Sequence, residues 1–322
     1  MHHINNNILA TFGIMLMLIS ISGQYIIHDK ANEIEKMQSP SKITGKAIGT
    51  VSLVIMRPFT EIDFRGILDD NNETIILIWE NLSQDNVSIY MTNNLSAGFD
   101  YGNPNITGIT ILNWSDPTAN TVSERYYRIG ISNMGIFNLS ENIVGKYDIN
   151  LTTVNGRWNY ISLPLVPYNN SRSEILKGIS GSYDWIYEYI PSGGNYSYWF
   201  DTFSTGNIHN LDANKCYIVQ ATNDITFTVV GDDNSAIDEE LITNNGRWNY
   251  VGWINEITAR NIATGSIAGD FDWIYEYTPE GGNYSFWFDT FSTGNINTFN
   301  PSKCYIIQAT ADTNLTYTKW KK

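Results

Sequence analysis

The chain is poor in the residues that most catalysis needs. Among 322 residues there are two cysteines and four histidines. His2, His3 and His28 sit near the start, and only His209 falls in a repeated region, where the second copy has Asn297. No nucleophile–base pair, phosphate loop or metal-ligand spacing emerges from so few candidates. Cations are also scarce: 19 Lys and Arg stand against 33 Asp and Glu, for a net charge of -14. Phosphate neutralisation needs clustered Lys and Arg, so a nucleic-acid partner is excluded, as is docking on an anionic membrane surface. Long apolar runs are missing except at residues 8–22, ILATFGIMLMLISIS.

That run has no Lys or Arg before it, and Ser20 and Ser22 fit a small-x-small cleavage site. It reads as a secretory signal peptide. Extended through GQYII at 23–27, it approaches the ~20 residues that span a bilayer, so an uncleaved anchor is the alternative. Either reading sends the bulk of the chain outside the cell, with membrane contact only through residues 1–27. Twelve Asn-x-Ser/Thr sequons agree with an extracellular address: Asn72, Asn81, Asn86, Asn94, Asn105, Asn113, Asn138, Asn150, Asn169, Asn195, Asn283 and Asn314. Such sites carry glycans only on exported chains.

The dominant feature is a duplication. GGNYSYWFDTFSTGNI at 193–208 recurs as GGNYSFWFDTFSTGNI at 281–296. The match extends to NGRWNY (155–160 and 245–250), DWIYEY (184–189 and 272–277) and KCYIVQAT against KCYIIQAT (215–222 and 303–310). The offset is 90 residues at NGRWNY and 88 from DWIYEY onward. Copies of this length read as tandem small domains, not as a solenoid period. Each holds one cysteine, Cys216 or Cys304, at the same place. Thiols in separate domains are not expected to face each other, so both read as buried strand residues without a disulfide.

Short β-branched and aromatic runs separated by turn residues predict a mainly β fold. Residues 28–48 read as a linker and 49–150 as a β-sandwich, with strands near 50–56, 73–79, 86–91, 103–112, 124–132 and 142–150. Repeat module 1 covers 151–231 and repeat module 2 covers 242–322, with an acidic linker at 232–241. Ser171-Arg172-Ser173-Glu174 has the pattern of a capping box and predicts one short helix per module. DWIYEY alternates Trp185, Tyr187 and Tyr189 against Asp184, Ile186 and Glu188, so it is a strand with one aromatic face.

Residues 49–150 resemble a fibronectin type III domain. Trp79 matches its second-strand tryptophan, Tyr90 its third-strand aromatic, Tyr126-Tyr127-Arg128 its YYRV strand, and 141–145 its closing strand. The opening strand with SLPL, the Trp-x-Tyr strand and the late KCYIVQA strand resemble a module of archaeal-type cell-surface proteins. GTVSLVI at 49–55 is similar to their leader. The copies depart from that pattern in having Cys216 and Cys304 where a glycine is usual. The second also has GWINE in place of SLPLV. The resemblance implies an envelope or S-layer-like surface protein.

Three functions remain. The first is an exported structural or adhesive protein without catalysis, whose partners are its own copies or other envelope proteins. The second is a carbohydrate-binding protein that takes polysaccharide on Trp185, Tyr187 and Trp199 and their copies Trp273, Tyr275 and Trp287. Rings in such number serve as core, interface anchor or saccharide platform. The third is a glycoside hydrolase using Asp184, Glu188 and Asp201, or Asp272, Glu276 and Asp289. Two carboxylates on one strand with no sign of a pocket make it the weakest. No cofactor is implied. Clustered oxygens at Asp69-Asp70-Asn71-Asn72 and Asp232-Asp233-Asn234 suit calcium chemically, but read first as solvated turns.

Overall fold

The computed structural model describes residues 16–17, 26–27, 64–69, 74–79, 86–133, 136–233, 236–254 and 256–318. The apolar segment, the 28–48 linker, the strand expected near 50–56, and the sequons Asn72 and Asn81 lie outside or largely outside them. The chain divides into two units, 1–62 and 63–322. In the first, β1 (Leu16–Met17) pairs antiparallel with β2 (Ile26–Ile27). Among the described residues, no helix is long and apolar enough to cross a membrane.

The second unit is antiparallel β throughout. Its sandwich begins with β3 (Phe64–Leu68), β4 (Ile75–Trp79), β5 (Asn86–Thr92), β6 (Ile106–Ile109) and β7 (Asn113–Asp116). It continues with β8 (Glu124–Asn133), β9 (Ile136–Leu139) and β10 (Val144–Leu151). One sheet has the order β3-β4-β7; the other contains β6, β5, β8 and β10 in that order, with β9 paired to β8. Strand β4 buries Ile75, Leu77 and Trp79 on one face, the period-two pattern of a half-buried strand. The aromatics that carry the type III resemblance, Trp79, Tyr90, Tyr126 and Tyr127, are buried. The Tyr127 hydroxyl ties the sheets together by donating to Asp116 Oδ2 at 2.8 Å.

The first module contains β11 (Trp158–Ile161), β12 (Val166–Pro167), α1 (Arg172–Ile175), β13 (Tyr183–Ile190), β14 (Asn195–Phe200), β15 (Thr205–Gly206), β16 (Tyr217–Ala221) and β17 (Ile225–Asp232). The second contains β18 (Ala236–Leu241), β19 (Trp248–Gly252), β20 (Thr258–Ala259), α2 (Arg260–Ala263), β21 (Phe271–Thr278), β22 (Asn283–Phe288), β23 (Thr293–Gly294), β24 (Thr298–Phe299), β25 (Cys304–Ala309) and β26 (Thr313–Thr318). Each module centres on a five-stranded sheet, β11-β16-β13-β14-β15 or β19-β25-β21-β22-β23.

Three local expectations change. Residues 236–241, taken from sequence for linker, form β18, which pairs along its whole length with β26. Ile237 and Leu241 face inward there, with half-buried Glu239 between them on the same side, while Asp238 and Glu240 supply the outer side. Strand β10, the closing strand of the sandwich, pairs on its other edge with β17 of the first module. The repeat therefore begins one strand earlier than the sequence match, and β10 joins β17 and β12 to the sandwich strands in one seven-stranded sheet. Helix α1 is a single turn followed by a 3-10 turn at Lys177–Ile179, and the Ser171 side chain makes no capping bond. The Ser171 amide instead donates to Asn169 Oδ1.

Candidate functional site

The repeated motifs build two things: the open face of each sheet and the joint between modules. Register places Trp158, Gln220, Trp185 and Phe200 in one row across four strands, and Tyr160, Ile218, Tyr187 and Tyr198 in the next. Tyr189 and Tyr196 form a third pair. Side chains alternate across a strand, so these rings share one face. The other face carries Ile186, Val219 and Ile161, which close the core. Trp199 lies on that inner face, where the Arg172 guanidinium stacks over it at 3.5 Å. The second module repeats the arrangement: Trp273 and Tyr275 look outward, while Trp287 lies inward under Arg260 at 3.4 Å.

On the open face the rings stack on one another. Tyr187 and Trp185 are 5.5 Å apart and nearly parallel, and Trp185 and Phe200 are 3.7 Å apart at 11°. Phe203 meets Phe200 edge-on at 4.6 Å. The second module reproduces the pile through Tyr275, Trp273, Phe288 and Phe291. One flat side of Trp185 is thus covered by Phe200, and Tyr187 lies parallel and offset beside it. Solvent meets ring edges, together with the outlying rings of Tyr196, Tyr198 and Phe203. Phe203 and its copy Phe291 are each 69% exposed.

The candidate carboxylates have cationic partners. Asp184 pairs with Arg157 at 3.0 Å, Glu188 with Lys215 at 2.7 Å, and Asp201 with Arg172 at 3.8 Å. Burial pulls the Lys215 ammonium down, but the hydrogen bond and charge of Glu188 more than offset this and hold it above its ordinary value. Among the described residues, no cluster of three or more His, Cys, Asp or Glu side chains is arranged to hold a metal ion. Asp232 receives hydrogen bonds from Asn142 and Tyr168. Among the described residues, eight sequons are exposed: Asn94, Asn105, Asn113, Asn150, Asn169, Asn195, Asn283 and Asn314. Asn138 is only partly exposed, and its amide nitrogen is buried without a partner. Strand β5 begins at Asn86.

The joint between modules was not foreseen from the sequence. Cys216 and Cys304 form a disulfide, with Cα atoms 5.2 Å apart, and both residues are buried. The expectation that they lie apart is therefore overturned. The modules face each other about a pseudo-two-fold axis, and a residue on such an axis meets its own copy. The remaining contacts have the same reciprocity. Asn155 Nδ2 donates to the Pro279 and Glu280 carbonyls, and Asn245 Nδ2 to those of Pro191 and Ser192. Tyr160 and Tyr284 bring their hydroxyls within 3.3 Å, as do Tyr250 and Tyr196 at 3.4 Å. Tyr160 also packs on Tyr277, and Tyr250 on Tyr189. Burial, then the neighbouring phenols, push the Tyr160 and Tyr250 hydroxyls well above the usual range.

This geometry explains why NGRWNY recurs. Asn155, Gly156 and Arg157 all have positive φ, as do Asn245, Gly246 and Arg247. Such a turn is costly for Asn and Arg. Here it projects the Asn side chain into the opposite hairpin and leaves the Arg for its aspartate. The hairpin glycines are equally specific: a Cβ at Gly194 would fall 2.7 Å from Asn245 Cγ, and one at Gly282 2.7 Å from Asn155 Cγ. Because the joint runs through the third pair of outer tyrosines, the two aromatic faces are continuous across it.

No family model and no curated protein matches the sequence. Among solved structures, three fibronectin type III domains (FN1–FN3) of chicken CNTN1 match over 81% of this chain and 97% of that one. Identity is 13% and the TM-score 0.18. The sandwich is assigned from its own strand order.

Proposed function

We propose that the chain is an exported, non-catalytic structural or adhesive protein of the cell surface, and that its paired aromatic faces are the surface by which copies of it associate. One observation carries this reading: each module sheet is apolar on both faces, and only one of them closes a core. An open aromatic face of that extent marks an interaction surface. Tyr and Trp give such a surface rigid contact area at little cost in side-chain entropy. In a chain of net charge -14 most of the surface repels its own copies, whereas the uncharged ring face does not. The two-fold arrangement offers the contact twice, which multiplies weak affinities into avidity. The buried disulfide and the eight exposed sequons support an extracellular address.

A second reading, polysaccharide binding, is favoured by the open rings of Tyr198 and Phe203 and their copies Phe286 and Phe291. It is disfavoured at Trp185, where Phe200 already stacks on the indole at 3.7 Å. Sedimentation velocity of the chain over a wide concentration range separates the readings. Association that grows with concentration and disappears in Phe203→Ala with Phe291→Ala supports the first. A monomer at every concentration overturns it, and retention on insoluble polysaccharide that the same variant abolishes would then favour the second.

A further inference from the structure

The joint between the modules treats its two sides almost alike. The groups that make it are Asn155 and Asn245, Tyr160 and Tyr250, Tyr189 and Tyr277, Tyr196 and Tyr284, Lys215 and Lys303, and Cys216 and Cys304. Each pair is the same residue in both copies. An isologous surface built this way does not distinguish a partner in its own chain from one in another. Two first modules from different chains could repeat nearly every contact, including a Cys216–Cys216 bond. A chain with two such modules would then polymerise head to head.

The symmetry breaks where the main chains come closest, at Ser162 against Gly252 and, in the residues whose carbonyls accept from their amides, at Ser302 against Asn214. Ser162 of the first module lies opposite Gly252 of the second. The Ser162 amide donates to the Ser302 carbonyl at 2.9 Å, and the Gly252 amide to the Asn214 carbonyl at 2.6 Å. Buried Ser162 Oγ reaches the carbonyls of Trp253 and Lys303, both at 3.0 Å. A Cβ on Gly252 would lie 2.5 Å from Ser162 Cβ and 2.4 Å from the Lys215 carbonyl oxygen. Two like first modules would force Ser against Ser into that space. Two like second modules would set Gly against Gly, and both hydroxyl bonds would be lost. Only the unlike pair fills the axis and satisfies it.

We infer that the joint is a general pairing surface for this module, and that Ser162 opposite Gly252 selects unlike over like modules, so that the surface closes within one chain. Discrimination of this kind needs a clash against the wrong partner as well as a fit to the right one. Residues 233–235, between β17 and β18, supply the right partner at high effective concentration.

The test uses the full chain, purified under oxidising conditions, with thiols counted by alkylation and intact mass and size read by light scattering. Gly252→Ser puts Ser on both sides. It should lower the fraction carrying the internal disulfide about tenfold, a consequence of overpacking at the axis, and yield free thiols or disulfide-linked dimers. The exchange Ser162→Gly with Gly252→Ser restores one of each and should recover the internally bonded monomer. An internal disulfide that survives Gly252→Ser in full overturns the proposal. So does failure of the exchange to rescue it, because Gly252 would then be required only for its own backbone.

Discussion

The two modules agree on the outside and differ on the inside. Their open faces and shared joint are built from nearly identical residues, yet their cores are filled in different ways. The first module borrows from the sandwich beyond the shared strand β10: Tyr126 belongs to its cluster, and Leu95 and Phe99 pack against it. With those neighbours supplied, it fills the position 90 residues before Trp253 with Leu163, and the position 88 residues before Phe299 with Leu211. Among the described residues, no sandwich side chain belongs to the core cluster of the second module. That module brings its own bulk in Trp253, which packs on Phe299 and Tyr317, and in Phe299, which stacks on Tyr305 at 3.8 Å. The departure of GWINE from SLPLV is thus a repacking; β19 pairs with β25 in the register that β11 keeps with β16. Core composition follows what the neighbourhood provides, while the face and the joint follow the motif.

The sharpest way to break the comparison is to cut the bond that the modules share. The cysteines are 88 residues apart, and a closed loop of that size restricts the unfolded chain by about 4 to 5 kcal/mol in the chain-entropy account. Cys216→Ala with Cys304→Ala should lower stability by about that amount, read as a shift in the denaturant midpoint. Reductant should reproduce the shift in the parent chain and leave the variant unchanged.

The cores give the next effect. Trp253→Ala removes a wholly buried indole that packs on Phe299 and Tyr317, and should cost about 3 to 5 kcal/mol. Leu163→Ala, at the equivalent position, should fall at the low end of the 2 to 5 kcal/mol typical of aliphatic truncation, because sandwich side chains line the space and can close in. Denaturant unfolding of both variants checks the order. If Leu163→Ala cost as much as Trp253→Ala, the cores would not differ in the way described.

The sequence made many of the strands, the mainly β sandwich and the duplication legible, because alternation and turn residues are local signals, whereas β3, β7 and β9 were not expected and the strand expected over 103–112 is β6 alone. It hid the joint, because matching copies reveal that modules are alike without revealing how they face. Equal positions of Cys216 and Cys304 read as distance when the chain is pictured as beads in a row. The same equality places them together once the beads pair about a two-fold axis. Strand β18 was hidden by its charge: Asp238, Glu239 and Glu240 outweigh Ile237 and Leu241 in any local reading. Its pairing with β26 is long-range information. The aromatic candidates divided for a simpler reason. Trp185 and Trp199 lie on strands whose register was unknown, and a shift of one residue moves a ring to the other face.

The smallest expected effect sharpens the comparison at one hydroxyl. In the first module Arg172, stacked on Trp199, also donates to the Tyr183 hydroxyl at 3.1 Å. The second module has Phe271 in place of that tyrosine, and Arg260 Nε is buried without a partner. Tyr183→Phe should therefore make the first module resemble the second at a cost of about 1 kcal/mol, the usual worth of one such bond. Phe271→Tyr should stabilise the second by no more than that. The pH dependence identifies the hydroxyl as the group responsible. Burial, then the charge of Asp201, raise the Tyr183 phenol from 10.0 to about 12. A raised acid favours the folded state in its protonated form, so its contribution is complete below pH 10 and is lost as pH climbs through about 12. The stability gap between the parent and Tyr183→Phe should be constant at neutral pH and shrink across that alkaline window. A gap that stayed the same there would mean that the ring, not its hydroxyl, makes the difference.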